Sequence, residues 1–118
     1  MVNNIKTEKE ILSETDYCVL KDELVYTRLG FSGQFGAIES IELRFGNIST
    51  YVKHKHKDIK QIIEALAEVL DIEKKDNLNI GDLRNIHCKI VTDSKQENKV
   101  YGIGSAENDK FILFETLV

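Results

Sequence analysis

A chain of 118 residues suits one domain and is long enough to bury a core without disulfides or metals. Its 42% hydrophobic and 31% charged residues are ordinary for a globular protein, and a net charge of −4 argues against strong non-specific nucleic-acid binding. The absence of proline argues against a Pro-rich linker, and no secretory leader or apolar run of the ~20 residues that cross a bilayer is legible.

Residues 1–15 are polar, anchored only by Ile5, Ile11 and Leu12, and read as a short helix over Thr7–Leu12 or as a frayed terminus. Tyr17–Leu20 and Leu24–Leu29 are rich in β-formers, and Lys21-Asp22-Glu23 between them reads as a hairpin turn. The glycines of Gly30-Phe31-Ser32-Gly33-Gln34-Phe35-Gly36 suit either a flexible hairpin loop or a backbone cradle for a phosphate. A strand rather than a helix follows them, which departs from a dinucleotide fingerprint and favours the loop. In that strand Ile41, Leu43 and Phe45 alternate with Glu42 and Arg44, while Ile38 falls out of phase and implies a bulge near Glu39-Ser40. Gly46-Asn47 then suits a two-residue turn into a returning strand over Ile48–Val52.

Asp58–Leu70 is the clearest element. Ile59, Ile62, Ile63, Leu66, Val69 and Leu70 form one helical stripe, with Asp58 placed as an N-cap. Leu78, Ile80 and Leu83 are expected to close the core from a loop or single turn. Ile86, Cys88 and Ile90 alternate with His87 and Lys89 as a half-buried strand, Val100–Gly104 returns, and Phe111–Leu117 forms a last strand. The expected fold is α+β: a mostly antiparallel sheet of five to seven strands packed on one main helix, residues 1–118 forming a single domain.

Lys53-His54-Lys55-His56-Lys57 is the concentrated positive charge of this acidic chain. Just before a helix N-terminus it is a candidate ligand- or partner-binding site for a phosphate or nucleotide; a solvated strand end that guards a sheet edge is the plainer reading. His54 and His56, with His87 or Cys88, lack the paired spacing of a zinc site, so no metal and no cofactor is expected. His87 and Cys88 are strand neighbours facing opposite ways, which argues against a nucleophile–base pair, and two cysteines alone suit reduced thiols. Glu64, Glu68 and Asp71 share a helix face that reads as solvated, or as an acidic surface for a basic partner. Phe31, Phe35, Tyr51 and Tyr101 lie near loops or strand ends, where aromatics fill cores or anchor interfaces.

The motifs Leu29-Gly30, Phe45-Gly46, the helix Ile62–Leu70, Asp82-Leu83-Arg84-Asn85 running to Val91, Gly102-Ile103-Gly104 and Asp109-Lys110-Phe111 follow one another over Thr27–Phe114. In that order they resemble a family of small proteins encoded by bacteriophages and prophages. Asn85 stands where that family favours Gly, Phe111 where it favours Trp, and the Lys/His run replaces a glycine-aromatic stretch. The resemblance implies a non-enzymatic counter-defence protein in the host bacterial cytoplasm, one that binds and inhibits a host defence component such as a CRISPR nuclease. A sponge that sequesters a nucleotide immune signal through the Lys53–Lys57 site is the alternative, and a phage accessory protein of another role a further one. An apolar Phe111–Val118 strand at a sheet edge would also allow pairing across a homodimer.

Overall fold

The computed structural model describes residues 5–14, 16–31, 38–46, 48–53, 59–73, 78–95 and 99–117. The fold is α+β, a curled six-stranded antiparallel sheet with one main helix. After a short helix α1 (Glu8–Leu12) come β1 (Tyr17–Phe31), β2 (Ile38–Phe45), β3 (Ser49–Lys53), the main helix α2 (Ile59–Val69), a 3-10 turn (Ile80–Leu83), β4 (Ile86–Asp93), β5 (Val100–Ser105), β6 (Phe111–Leu113) and a closing 3-10 turn (Phe114–Leu117). The strand order is β3-β2-β1-β4-β5-β6.

The hairpin turn expected at Lys21–Glu23 is not formed: β1 runs unbroken through it. Its first half pairs with β4, from Tyr17 opposite Asp93 to Leu24 opposite Ile86, and its second half pairs with β2, from Leu24 opposite Phe45 to Phe31 opposite Ile38. Polar residues are tolerated at 21–23 because the β2 ladder begins only at Leu24. Asp22 is put to use there, its Oδ1 accepting the Gly46 N–H at 3.1 Å and so fixing the β2–β3 turn. Val25 is the extra residue of a bulge between Leu24 and Tyr26. It resets the pleat so that Leu24 and Thr27 both turn into the core. A second register shift, where Gly30 faces Ser40 and Phe31 faces Ile38, leaves Glu39 unpaired and is the bulge expected from the phase of Ile38.

The concave face packs on α2. Ile62, Ile63, Leu66, Val69 and Leu70 meet Leu24, Ile41, Leu43, Phe45, Val52, Cys88, Ile90 and Ile103, with Leu83 of the 3-10 turn as a plug and Leu78 and Ile80 half-buried beside it. Each fully buried aliphatic side chain contributes about 1.5–3 kcal/mol relative to exposure. The helix ends in a left-handed Asp71 (φ 59°), with Ile72 N–H donating to Ala67 C=O and Asp71 N–H to Glu68 C=O. Asp58 lies outside the described residues.

A second, smaller core lies on the convex face, where the sequence patterns indicated none. Gly102 and Gly104 leave that face of β5 bare, and Phe111 and Leu113 of β6 lie over it; Ile11 of α1 joins them with Val91. Helix α1 exists because Thr7 and Glu10 form a reciprocal cap, Thr7 Oγ1 accepting the Glu10 N–H at 3.2 Å and Glu10 Oε1 the Thr7 N–H at 3.1 Å. The segment before it covers the β6 edge through two backbone bonds between Lys6 and Phe111, at 2.7 and 2.8 Å.

The final strand is shorter than the expected Phe111–Leu117. It stops at Leu113, where the Thr116 hydroxyl donates to the Leu113 carbonyl at 2.7 Å, and the turn carries the Phe114 ring into the main core. This edge strand is three residues long, and Phe111 is already paired with Lys6.

Candidate functional site

Of the Lys53–Lys57 run, Lys53 is the last residue of β3, opposite Ser40; His54, Lys55, His56 and Lys57 lie outside the described residues. The same holds for 32–37 of the glycine loop, Phe35 included. Among the described residues no group of three or more His, Cys, Asp or Glu side chains is placed to hold a metal. His87 is exposed, its Nε2 3.8 Å from the Glu23 carboxylate. Cys88 points the other way into the core, where burial, reinforced by the charges of Asp22 and Glu23, pushes its thiol up to about 12. Cys18 and Cys88 are free thiols, separated along β1 by the four positions from 18 to 22, ~13 Å of strand.

The helix-face carboxylates do come together. Glu64, Glu68 and Asp71 line an open groove of about 380 Å³ with Ala67, Ile72, Leu78 and Lys110. Asp71 is committed to structure, however. Lys110 donates to its Oδ1, while Ser105 Oγ and Asn108 Nδ2 donate to its Oδ2 at 2.7 and 2.6 Å. Those bonds, that from Lys110 foremost, outweigh desolvation and hold its carboxyl at about 2. Lys110 Nζ also donates to the Glu68 carbonyl at 3.0 Å, so one cation ties the end of α2 to the start of β6.

The most distinctive chemistry lies on the half of the convex face that α1 does not cover. The chain has three arginines, Arg28, Arg44 and Arg84, and all of them converge there. The register sets Arg28, Glu42 and Tyr51 in one row across β1, β2 and β3, and Tyr26, Arg44 and Ser49 in the next. Glu42 is 2% exposed although it is on the outer face, because the two guanidinium groups lie over it. Arg28 Nε donates to Oε1, and an Arg44 terminal nitrogen donates to Oε2 at 3.2 Å. Burial raises the Glu42 carboxyl, but the hydrogen bonds from Arg28 and Arg44 and then their charges together bring it below the ordinary range. In return the bond to Glu42, and then its charge, raises Arg28.

Arg84 reaches the same place from the 3-10 turn. Its Nη2 and Nε donate to the Thr27 carbonyl at 2.7 and 3.2 Å, and its guanidinium carbon lies 4.4 Å from the centre of the Tyr26 ring; that of Arg44 lies 5.4 Å from it. Asn85, which has a left-handed φ of 59°, turns the chain between Arg84 and β4. The arginine side chains on β1 and β2 remain 55% and 53% exposed, and Tyr51 is 56% exposed. Three fixed guanidinium groups against one carboxylate leave an excess of two positive charges beside an exposed aromatic. Sequence reasoning passed over this cluster because its members lie on three separate elements; the signal available was the outward phase of Arg44 and the scarcity of arginine among 16 cations.

Comparison with protein-family models, curated proteins and solved structures gave no match to this chain. No described helix is long and apolar enough to cross a membrane.

Proposed function

We propose that this is a non-enzymatic, phage-type counter-defence protein that works in the bacterial cytoplasm by binding and inhibiting a host defence component, with a CRISPR nuclease as the concrete case. The setting comes from the resemblance of Thr27–Phe114 to small phage proteins. What supports a binding role is the cluster of Arg28, Arg44 and Arg84 with Tyr26 and Tyr51 on the part of the convex face that α1 leaves open. Arginine and tyrosine are the residues that dominate binding hot spots. Here Glu42, Tyr26 and the Thr27 carbonyl hold the guanidinium groups in place before any partner arrives, which lowers the ordering cost of association.

The reading is tested by phage plating on a bacterium whose CRISPR nuclease targets that phage. Expression of the protein is expected to restore plating, and the surface substitutions Tyr51→Ser and Arg84→Gln together are expected to abolish the rescue at unchanged expression and melting temperature. Absence of rescue by the parent protein refutes the inhibitor, and rescue undiminished in the double variant refutes this face as its binding surface.

A further inference from the structure

The two edges of the sheet are treated differently. At β6 the strand is three residues long and Lys6 pairs with it through both backbone bonds. At β3 the ladder to β2 is regular over five consecutive pairs, Ser40–Lys53 to Arg44–Ser49, and no described residue pairs with its outer side. Natural edges are blunted by short strands, charged side chains (lysine above all), prolines, bulges, inward charges or a covering segment. β3 has neither bulge nor proline, and its one charged residue, Lys53, stands at its far end, leaving Ser49 to Val52 without a charge.

The phase of the ladder identifies the groups that face outward. Phe45 N–H donates to Ile48 C=O at 2.7 Å, so 45 and 48 form a hydrogen-bonded pair. Pairs alternate along an antiparallel ladder. Arg44–Ser49 and Glu42–Tyr51 are therefore the non-bonded pairs, and the N–H and C=O of Ser49 and Tyr51 point away from β2 toward the outer edge, where no described residue pairs with them. Tyr51 thus offers its backbone to the edge and its exposed ring to the convex face, beside Arg28 and Arg44.

We infer that the partner's contact element is an extended, acidic protein segment that adds as a seventh strand to β3 and places alternate carboxylates against Arg44 and Arg28. This rests on the proposed partner-binding role and specifies its chemistry. An added strand would lie about 4.8 Å from β3, about 10 Å from β2 and about 14 Å from β1. A glutamate and Arg44 span the gap to β2 together, and the guanidinium of Arg28 already reaches from β1 to Glu42 on β2. A single-stranded nucleic acid fits less well. The Tyr26 ring already holds two guanidinium groups, which leaves Tyr51 as the exposed ring of the cluster, and an excess of two charges on an acidic protein matches a few carboxylates better than a run of phosphates. A second copy pairing β3 on β3 would bring two patches of the same sign together.

The test is amide hydrogen exchange, read by NMR, on the isotopically labelled protein titrated to millimolar concentration with a short synthetic peptide that alternates Glu and Thr. The same peptide with Lys for Glu, and a short oligothymidylate, are titrated alongside. The Glu peptide is expected to slow exchange at Ser49 and Tyr51 by about tenfold or more, while Thr50 and Val52, bonded to β2 already, stay as they were. Binding is expected to weaken with salt and to fall about tenfold in the variant Arg28→Gln/Glu42→Gln/Arg44→Gln, which removes the buried carboxylate together with its partners. Unchanged exchange at Ser49 and Tyr51 overturns the inference. So does equal binding of the Lys peptide or the oligothymidylate, or a dimer whose Ser49 and Tyr51 are protected without peptide. Loss of plating rescue in Tyr51→Ser with no change in those two amides would leave the partner-binding role standing and remove strand addition alone.

Discussion

Replacing Gly104 by Ala tests how the convex core is built. A Cβ at that position would stand 2.7 Å from Phe111 Cγ and closer still to Cδ1 and Cε1, where ordinary carbon contacts are about 3.5–4.0 Å. The ring must retreat by about 1 Å, yet Phe111 is fully buried, with Ile11, Val91 and Leu113 around it. Its backbone N–H and C=O both bond Lys6 at the edge, and the carbonyl of its neighbour Lys110 accepts the Ser105 N–H. Overpacking of this kind costs about 1–3 kcal/mol, and the lack of a free direction puts Gly104→Ala near the top of that range. At about 4 °C per kcal/mol for a domain of this size, the melting temperature is expected to fall by roughly 8–12 °C in a thermal unfolding scan. Adding Phe111→Leu should recover part of the loss, because the shorter side chain clears the methyl group; the two substitutions should couple rather than add. A Gly104→Ala protein melting within about 2 °C of the parent would refute the packing of Phe111 over β5.

Asp71 makes stability depend on pH in a defined window. Its folded value of about 2 lies below its ordinary 3.8. Its stabilisation is therefore complete above the unfolded value and is lost as pH falls from about 4 to about 2. The difference corresponds to a ceiling of about 2 kcal/mol, reduced by solvent to about 1 kcal/mol because the side chain is one-third exposed. Urea titrations should show Asp71→Asn losing that amount at neutral pH and converging on the parent at low pH. At Glu42, Arg28→Gln/Arg44→Gln should cost about 1–3 kcal/mol by stranding a carboxylate under a thin cover, and adding Glu42→Gln should restore most of it; equal stability of the two variants would refute the ion-pair cluster. Cys88, with its thiol at about 12, should react with a disulfide reagent at neutral pH only as fast as the protein unfolds, and fast labelling in the native state would contradict its burial.

What periodicity could reveal, it did. The α2 stripe, the alternation of Ile41, Leu43 and Phe45, the inward Cys88 beside an outward His87, and the bulge at Glu39 are all local patterns with a fixed period. The Lys21–Glu23 stretch misled because polarity alone does not distinguish a turn from a strand whose second neighbour begins further along, and here the β2 ladder starts only at Leu24. The convex core was hidden for a related reason. Gly102 and Gly104 look like weak strand residues until Phe111 is known to occupy the space they leave. The arginine cluster depends on register across three elements and on a 3-10 turn that returns Arg84 to Tyr26, none of which a one-dimensional pattern encodes. The Lys53–Lys57 run, conspicuous in sequence, meets the described structure only at Lys53, where β3 ends.

The most direct test of the arginine cluster's convex face as a binding surface is site-specific photocrosslinking in bacteria that are interfering with phage. A photoreactive phenylalanine at position 51 on β3 is compared with one at Gln61, an exposed position on α2. The expected result is one discrete crosslinked host protein from position 51, lost when Arg84→Gln is added, and none from position 61. The same crosslinks from both positions, or a partner captured from position 61 alone, would contradict it.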